Sequence, residues 1–130
     1  MANGFGFTKI ITADVDRVFA FYQAVFGLEE QARVRQGEGE HQVDEIITMG
    51  PGGDRSGPTL VIQFYPNRPL PAPGEATLGF VVDDADEIVA LALAHGGSVY
   101  RAVHAQPQHG IKVGFVRDCG GHMIELVEML

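Results

Sequence analysis

The sequence predicts an α+β fold made of two tandem βαβββ units. Three observations carry that prediction. Strand-period and helix-period stretches follow one another in the same order twice along the 130 residues. A shift of 70 positions superposes Asp14 on Asp84, Asp16 on Asp86, Ala20 on Ala90 and Gly27 on Gly97 without a gap, and sets Val18 on Ile88 and Phe21 on Leu91. Further along, Val61-Ile62-Gln63-Phe64 lies opposite Met123-Ile124-Glu125-Leu126, with the offset reduced to 62 by shorter hairpins. Helix start, helix stop and final strand coincide in order, which marks an internal duplication.

In the first unit, Thr8-Lys9-Ile10-Ile11-Thr12 is β-branched and reads as a strand. Asp14 is placed to cap a helix, and Asp16 lies in the first turn, where a carboxylate suits the helix dipole. Val15, Val18, Phe19, Tyr22, Val25 and Phe26 recur at three- and four-residue spacing, and Gly27 is the stop. Leu28 to Arg35 and Gln42 to Met49 follow as strands joined by the turn Gln36 to Glu40. Gly50 to Pro58 reads as a loop, and Thr59 to Tyr65 as a third strand that is apolar apart from Gln63. Pro66 to Gly74 holds four prolines, cannot join a central strand and reads as a connector.

The second unit repeats the pattern. Thr77 to Val82 is a strand; Asp84 and Asp86 open a helix with Ile88, Val89, Leu91, Ala92 and Leu93 on its apolar face; Gly96-Gly97 closes it. Ser98 to Val103 and Ile111 to Arg117 are strands linked by His104 to Gly110. Asp118-Cys119-Gly120-Gly121 forms a turn, Asp118 bonding its own backbone two residues on. It feeds the apolar strand Met123-Ile124-Glu125-Leu126-Val127. The repeat units span about 5–66 and 75–130 of a single domain, with the connector between. Each unit is expected to expose an apolar sheet face and to pack on the other about a pseudo-twofold axis.

Composition narrows the function. An apolar fraction of 45% excludes a disordered chain, and no apolar run reaches membrane-spanning length. The net charge is −8 and the isoelectric point near 4.9, which argues against nucleic acid and anionic membranes as partners and suits a cationic ligand. Cys119 is the only cysteine and the N-terminal residues lack a basic-then-apolar pattern, so a reducing cytoplasm without a signal peptide is the expectation.

Glu125 is the residue these features leave unexplained. A carboxylate inside an apolar strand must be paired, hydrogen-bonded, metal-bound or facing a wet cavity. The stretches Phe21-Tyr22-Gln23-Ala24-Val25-Phe26-Gly27-Leu28, Phe80-Val81-Val82-Asp83-Asp84 and Asp118 to Glu128 resemble motifs of the vicinal oxygen chelate superfamily. That superfamily takes in glyoxalase I, bleomycin-resistance proteins, extradiol dioxygenases and methylmalonyl epimerase. The resemblance covers essentially the whole chain. It implies paired βαβββ modules forming a cup-shaped mixed sheet with the helices outside. In the enzymes, a divalent metal in the cup activates vicinal oxygens of the substrate.

The resemblance also implies where the metal ligands would stand: at the start of each unit's first strand, usually His, and within its last strand, as Glu or Gln. Those positions are Phe7, Gln63, Thr77 and Glu125. Phe7 has no donor, Thr77 is a poor ligand and Gln63 a weak neutral one, which leaves Glu125 alone as a strong donor. A degenerate metal site is therefore expected: no cofactor is predicted and a divalent metal is disfavoured.

Strand alternation puts Lys9 and Ile11 on the face of Phe7. Lys9 either takes over part of the metal's charge role opposite Glu125 or snorkels to the rim of the cup. Tyr65, Val81 and Met123 share the required strand parity, and Tyr100 and Phe115 extend the expected apolar lining. His41, His95, His104, His109 and His122 are the donors for any relocated metal, and His104 and His109 flank a loop able to close over the cup mouth. Three functions follow. One is a metal-free small-molecule-binding protein of the bleomycin-resistance kind. Another is a glyoxalase-, epimerase- or dioxygenase-like enzyme with Glu125 as its catalytic base. The third is a ligand-free accessory domain. The resemblance favours a homodimer.

Overall fold

The computed structural model describes residues 2–130, which fall into two units, one ending at Pro71 and the other beginning at Ala72. In the first, strand β1 (Phe7–Ile11) leads into helix α1 (Val15–Phe26) and then into β2 (Glu29–Gln36), β3 (Val43–Met49) and β4 (Thr59–Phe64). The second has β5 (Thr77–Val81), α2 (Ala85–Ala94), β6 (Ser98–Gln106), β7 (Ile111–Arg117) and β8 (Met123–Met129). Each unit forms a four-stranded mixed sheet, in the orders β1-β4-β3-β2 and β5-β8-β7-β6. The two orders are the same under the repeat. In each, the first strand runs parallel to the last and the remaining pairs are antiparallel.

The helix ends follow from their residues. The Asp14 side chain accepts the Arg17 N–H at 3.1 Å and Asp84 accepts that of Glu87 at 3.1 Å, so both expected caps form. Gly27 closes α1 at φ 71°, and the Leu28 N–H reaches back to the Tyr22 carbonyl. In α2 the cap is His95, one residue before the expected glycine stop, with Gly96 at φ 91° behind it. Val15, Val18, Phe21, Tyr22 and Val25 of α1 are buried, as are Ile10, Ile46, Leu60 and Ile62 of the sheet. Complete burial of a side chain such as Ile62 or Tyr22 contributes about 1.5–3 kcal/mol. Ala85, Ala92, Val116, Ile124 and Leu126 form the matching core of the second unit.

Two differences from the sequence expectation bear on the site. β6 runs on to Gln106, so His104 belongs to a strand rather than to the connecting loop, which shrinks to the 3₁₀ turn Pro107–His109. β4 stops at Phe64, so Tyr65 lies beyond the ladder. β6 keeps its extra length by bulging, with register shifts between Val99 and Arg101 and between Arg101 and His104. Where it bends, the backbone of Val103 comes close to Gly114: a Cβ there would sit 2.7 Å from Val103 Cγ2 and 3.3 Å from its Cα. Among the described residues no helix is long and apolar enough to cross a membrane.

Candidate functional site

Polar contacts to the helices identify the two faces of each sheet. In the first unit, Arg33 donates to Asp16 of α1 at 2.7 Å and to Asp44 of β3 at 2.8 Å, so Arg33 and Asp44 lie on the helix side. Those hydrogen bonds hold the Asp16 and Asp44 carboxyls below the usual range and raise the Arg33 guanidinium further. Glu45, next to Asp44 in the strand, therefore belongs to the helix-free face. Register aligns Ile11, Gln63 and Glu45 in one row across β1, β4 and β3, with Lys9, Val61 and Ile47 in the row beside it.

Lys9 and Glu45 meet across that face, with Nζ 3.1 Å from Oε2. The same ammonium stands 5.6 Å from the centroid of the Phe7 ring, which is itself more than half exposed at the start of β1. Gln63 is 4% exposed, and its Oε1 has no hydrogen-bond partner among the described residues. An amide oxygen taken from water without a donor costs about 1–3 kcal/mol, so Gln63 is an acceptor awaiting a donor. Tyr65 is turned to another task, the Arg68 guanidinium lying 4.0 Å over its ring.

In the second unit Lys112 pairs with Asp86 at 3.2 Å, and Glu128 accepts the Ala85 N–H at 2.8 Å. Both mark the helix side. Glu125 has the opposite parity and lies on the helix-free face, in a row formed by Gly79, Glu125 and Phe115. Thr77, Met123 and Arg117 form the neighbouring row. Glu125 is half-buried, and among the described residues its carboxylate makes no hydrogen bond or ion pair. On one side of it is Gly79, where an added Cβ would meet no atom within 4 Å. On the other is Phe115, packed edge-on against Tyr100 with centroids 6.4 Å apart; the Arg117 guanidinium covers Tyr100 at 4.7 Å. Tyr100 reaches this face because it is the extra residue of the first β6 bulge.

Glu45, Gly79 and Arg117 of these rows lie outside the set that sequence pattern singles out. Glu45 carries the same signal as Glu125, a carboxylate alternating with Val43 and Ile47 in an apolar strand. Gly79 is legible only as the counterpart of Lys9 under the repeat, and Arg117 gives no signal. A separate groove of about 440 Å³ in the first unit is lined by Arg35, Gln36, Gly37, Gln42, Val43, Asp44, Phe64 and Pro66. None of the expected site residues lines it.

The donor chemistry does not fit the divalent metal that the resemblance implies. Phe7 and Thr77 begin β1 and β5, and Gln63 and Glu125 lie within β4 and β8. Their side chains offer one carboxylate, one amide oxygen, one hydroxyl and a hydrocarbon ring, short of the three or four strong donors such an ion takes. No relocated cluster replaces them: among the described residues no group of three or more His, Cys, Asp or Glu is arranged to hold a metal ion. Three of the histidines have other roles. His95 caps α2, His104 bonds the Ala102 carbonyl and the Gln106 side chain, and buried His122 meets Asp118 at 2.9 Å.

Comparison with known proteins agrees with this architecture. The model of the Glyoxalase/Bleomycin resistance protein/Dioxygenase superfamily matches residues 4–126. Among solved structures, a glyoxalase family protein from Bacillus cereus is similar at 20% identity over 96% of this chain and 93% of that one, with a TM-score of 0.77. The fosfomycin resistance protein FosX from Listeria monocytogenes is similar at 18% identity over 100% and 96%, with a TM-score of 0.74. A glyoxalase I variant from Zea mays gives 14% identity over 95% of this chain and 46% of that one, at a TM-score of 0.71. These likenesses show the fold. No curated protein matches the sequence significantly.

Proposed function

We propose, on the premise that the chain belongs to the Glyoxalase/Bleomycin resistance protein/Dioxygenase superfamily, that it binds a small organic molecule on its helix-free sheet faces without the family's divalent metal. The observation that carries this reading is the pair of unfilled acceptors at matching positions of the repeat. Gln63 Oε1 in β4 and the Glu125 carboxylate in β8 have no donor among the described residues; Gln63 lies between Ile11 and Glu45 in its row, and Glu125 between Gly79 and Phe115. A few polar groups among apolar ones are the usual makeup of a small-molecule site. Thr77, Met123 and Ile11 border these acceptors, and the Lys9–Glu45 pair supplies fixed charge beside Gln63. The fold family and the absence of strong donors at Phe7 and Thr77 support binding over metal chemistry. We extend the proposal to a homodimeric state.

Metal analysis of protein purified without chelator, paired with thermal-shift screening of a small-molecule library in EDTA, tests the reading. Nickel, zinc, iron and manganese are expected well below one per chain, and some library compounds are expected to raise the melting temperature. Stoichiometric metal, or a library without a single stabilising compound, would refute it.

One observation favours a second reading, an enzyme with Glu125 as general base: a half-buried carboxylate without a partner is available to accept a proton. A glyoxalase assay on the glutathione hemithioacetal of methylglyoxal, with and without added nickel or zinc, decides it. Turnover abolished by Glu125→Gln would establish the enzyme.

A further inference from the structure

We infer that the molecule taken up by the second unit is an organic cation, with an N–H-bearing ammonium on Glu125 and an apolar or aromatic body over Gly79 and Phe115. This rests on the small-molecule reading above and assigns that site its ligand class. A carboxylate accepts several hydrogen bonds, and the described residues supply Glu125 with none. Charge-assisted bonds to an ammonium are the strongest that such a group forms.

The space beside it is specific. Gly79 is the cross-strand neighbour of Glu125, and any other residue there would stand next to the carboxylate on the same face. Instead the position is open, with no atom within 4 Å of an added Cβ. Across the strand, Phe115 and the edge-on Tyr100, whose ring Arg117 covers, supply an aromatic wall whose hydrocarbon accepts an apolar body. A ligand that fills the Gly79 space thus meets a carboxylate first and rings beyond it.

The first unit repeats the acceptor but not the charge. At the equivalent position of the repeat, Gln63 also presents an acceptor without a donor, and it is far more deeply buried. Both units thus set an acceptor at this position, as recognition of a hydrogen-bond donor requires. A net charge of −8 draws cations toward the chain.

Arg117 is the group that argues for the opposite sign. It lies diagonally from Glu125 on the same face, yet its guanidinium is stacked on Tyr100 and forms no ion pair among the described residues. An anionic ligand would be drawn to it, so the test sets the two charges against each other.

Phenethylamine, phenethyl alcohol and phenylacetate share one ring and differ in charge. Each is titrated into ¹⁵N-labelled protein at low ionic strength and followed by amide chemical shifts. Phenethylamine is expected to shift Gly79, Phe115 and Glu125 and to bind at least ~10-fold more tightly than the alcohol. Glu125→Gln is expected to bring the amine-to-alcohol ratio to about one. Gly79→Leu, which keeps the carboxylate and fills the space, is expected to abolish the amine's shifts. The inference is overturned if alcohol and amine bind equally, if phenylacetate binds tightest, if the preference survives Glu125→Gln, or if none of the three shifts these amides. Alcohol or phenylacetate acting at the same amides would leave the small-molecule reading standing, whereas stoichiometric metal or a wholly silent library screen removes that.

Discussion

Lys9 on β1 reaches over the intervening strand β4 to place its ammonium 3.1 Å from Glu45 on β3. The bond ties three strands of the first sheet together and shields the apolar row beneath it. Glu45 is 8% exposed, so removing its cation leaves a nearly buried carboxylate without compensation. Lys9→Met is expected to cost about 1–2 kcal/mol, at the low end for a buried pair because Lys9 itself is a third exposed. Adding Glu45→Leu should restore most of that loss. Urea unfolding of the four members of this cycle measures the coupling. Single variants whose effects simply add would show that the pair has no energetic weight.

Arg33 couples helix to sheet through Asp16 and Asp44, and that arrangement has a pH signature. Both carboxyls titrate below the ordinary Asp range in the folded protein, chiefly through hydrogen bonds from Arg33. In the unfolded chain they bind protons at higher pH than in the folded one. Their contribution is therefore complete above about pH 4 and is lost as pH falls through the folded values. Three-quarters of the Asp16 side chain is exposed, so screening limits the total to about 1 kcal/mol. Arg33→Met is expected to lower stability by that amount at pH 6 and by much less at pH 2.5, measured by urea unfolding at each pH. An equal loss at both would assign Arg33 a packing role alone.

Most of the fold was legible because it rests on local chemistry. Asp14, Asp84 and Gly27 act where their side chains or their lack of one demand, and the 70-residue shift carries one sheet onto the other. Strand parity placed Lys9, Ile11 and Phe7 on one face. What escaped depends on distant neighbours and on bulges. Lys9 paired with Glu45 because the strand order β1-β4-β3 sets them two strands apart, which periodicity does not encode. Tyr100 joined Phe115 through a bulge that shifts its parity, and Tyr65 left the ladder one residue early. His122 read as a turn residue; it is 8% exposed because the turn folds its ring back onto Asp118.

That turn governs where Glu125 stands. The Asp118 carboxylate, 3% exposed, accepts the Gly120 N–H at 2.8 Å, the His122 N–H at 3.0 Å and the His122 ring Nδ1–H at 2.9 Å. Gly121, at φ 91°, lets the chain reverse between them. The turn fixes Arg117 opposite Met123, and from that register Phe115 falls opposite Glu125. Asp118→Ala leaves all three donors short of an acceptor in a buried place and is expected to cost about 3 kcal/mol. Asp118→Asn retains an acceptor oxygen for the backbone and should lose roughly half as much. The readouts are urea unfolding and the amide shifts of Phe115 and Glu125. An Asp118→Ala protein with unaltered stability and unaltered shifts at those residues would mean that the β7–β8 ladder, rather than the turn, sets the register.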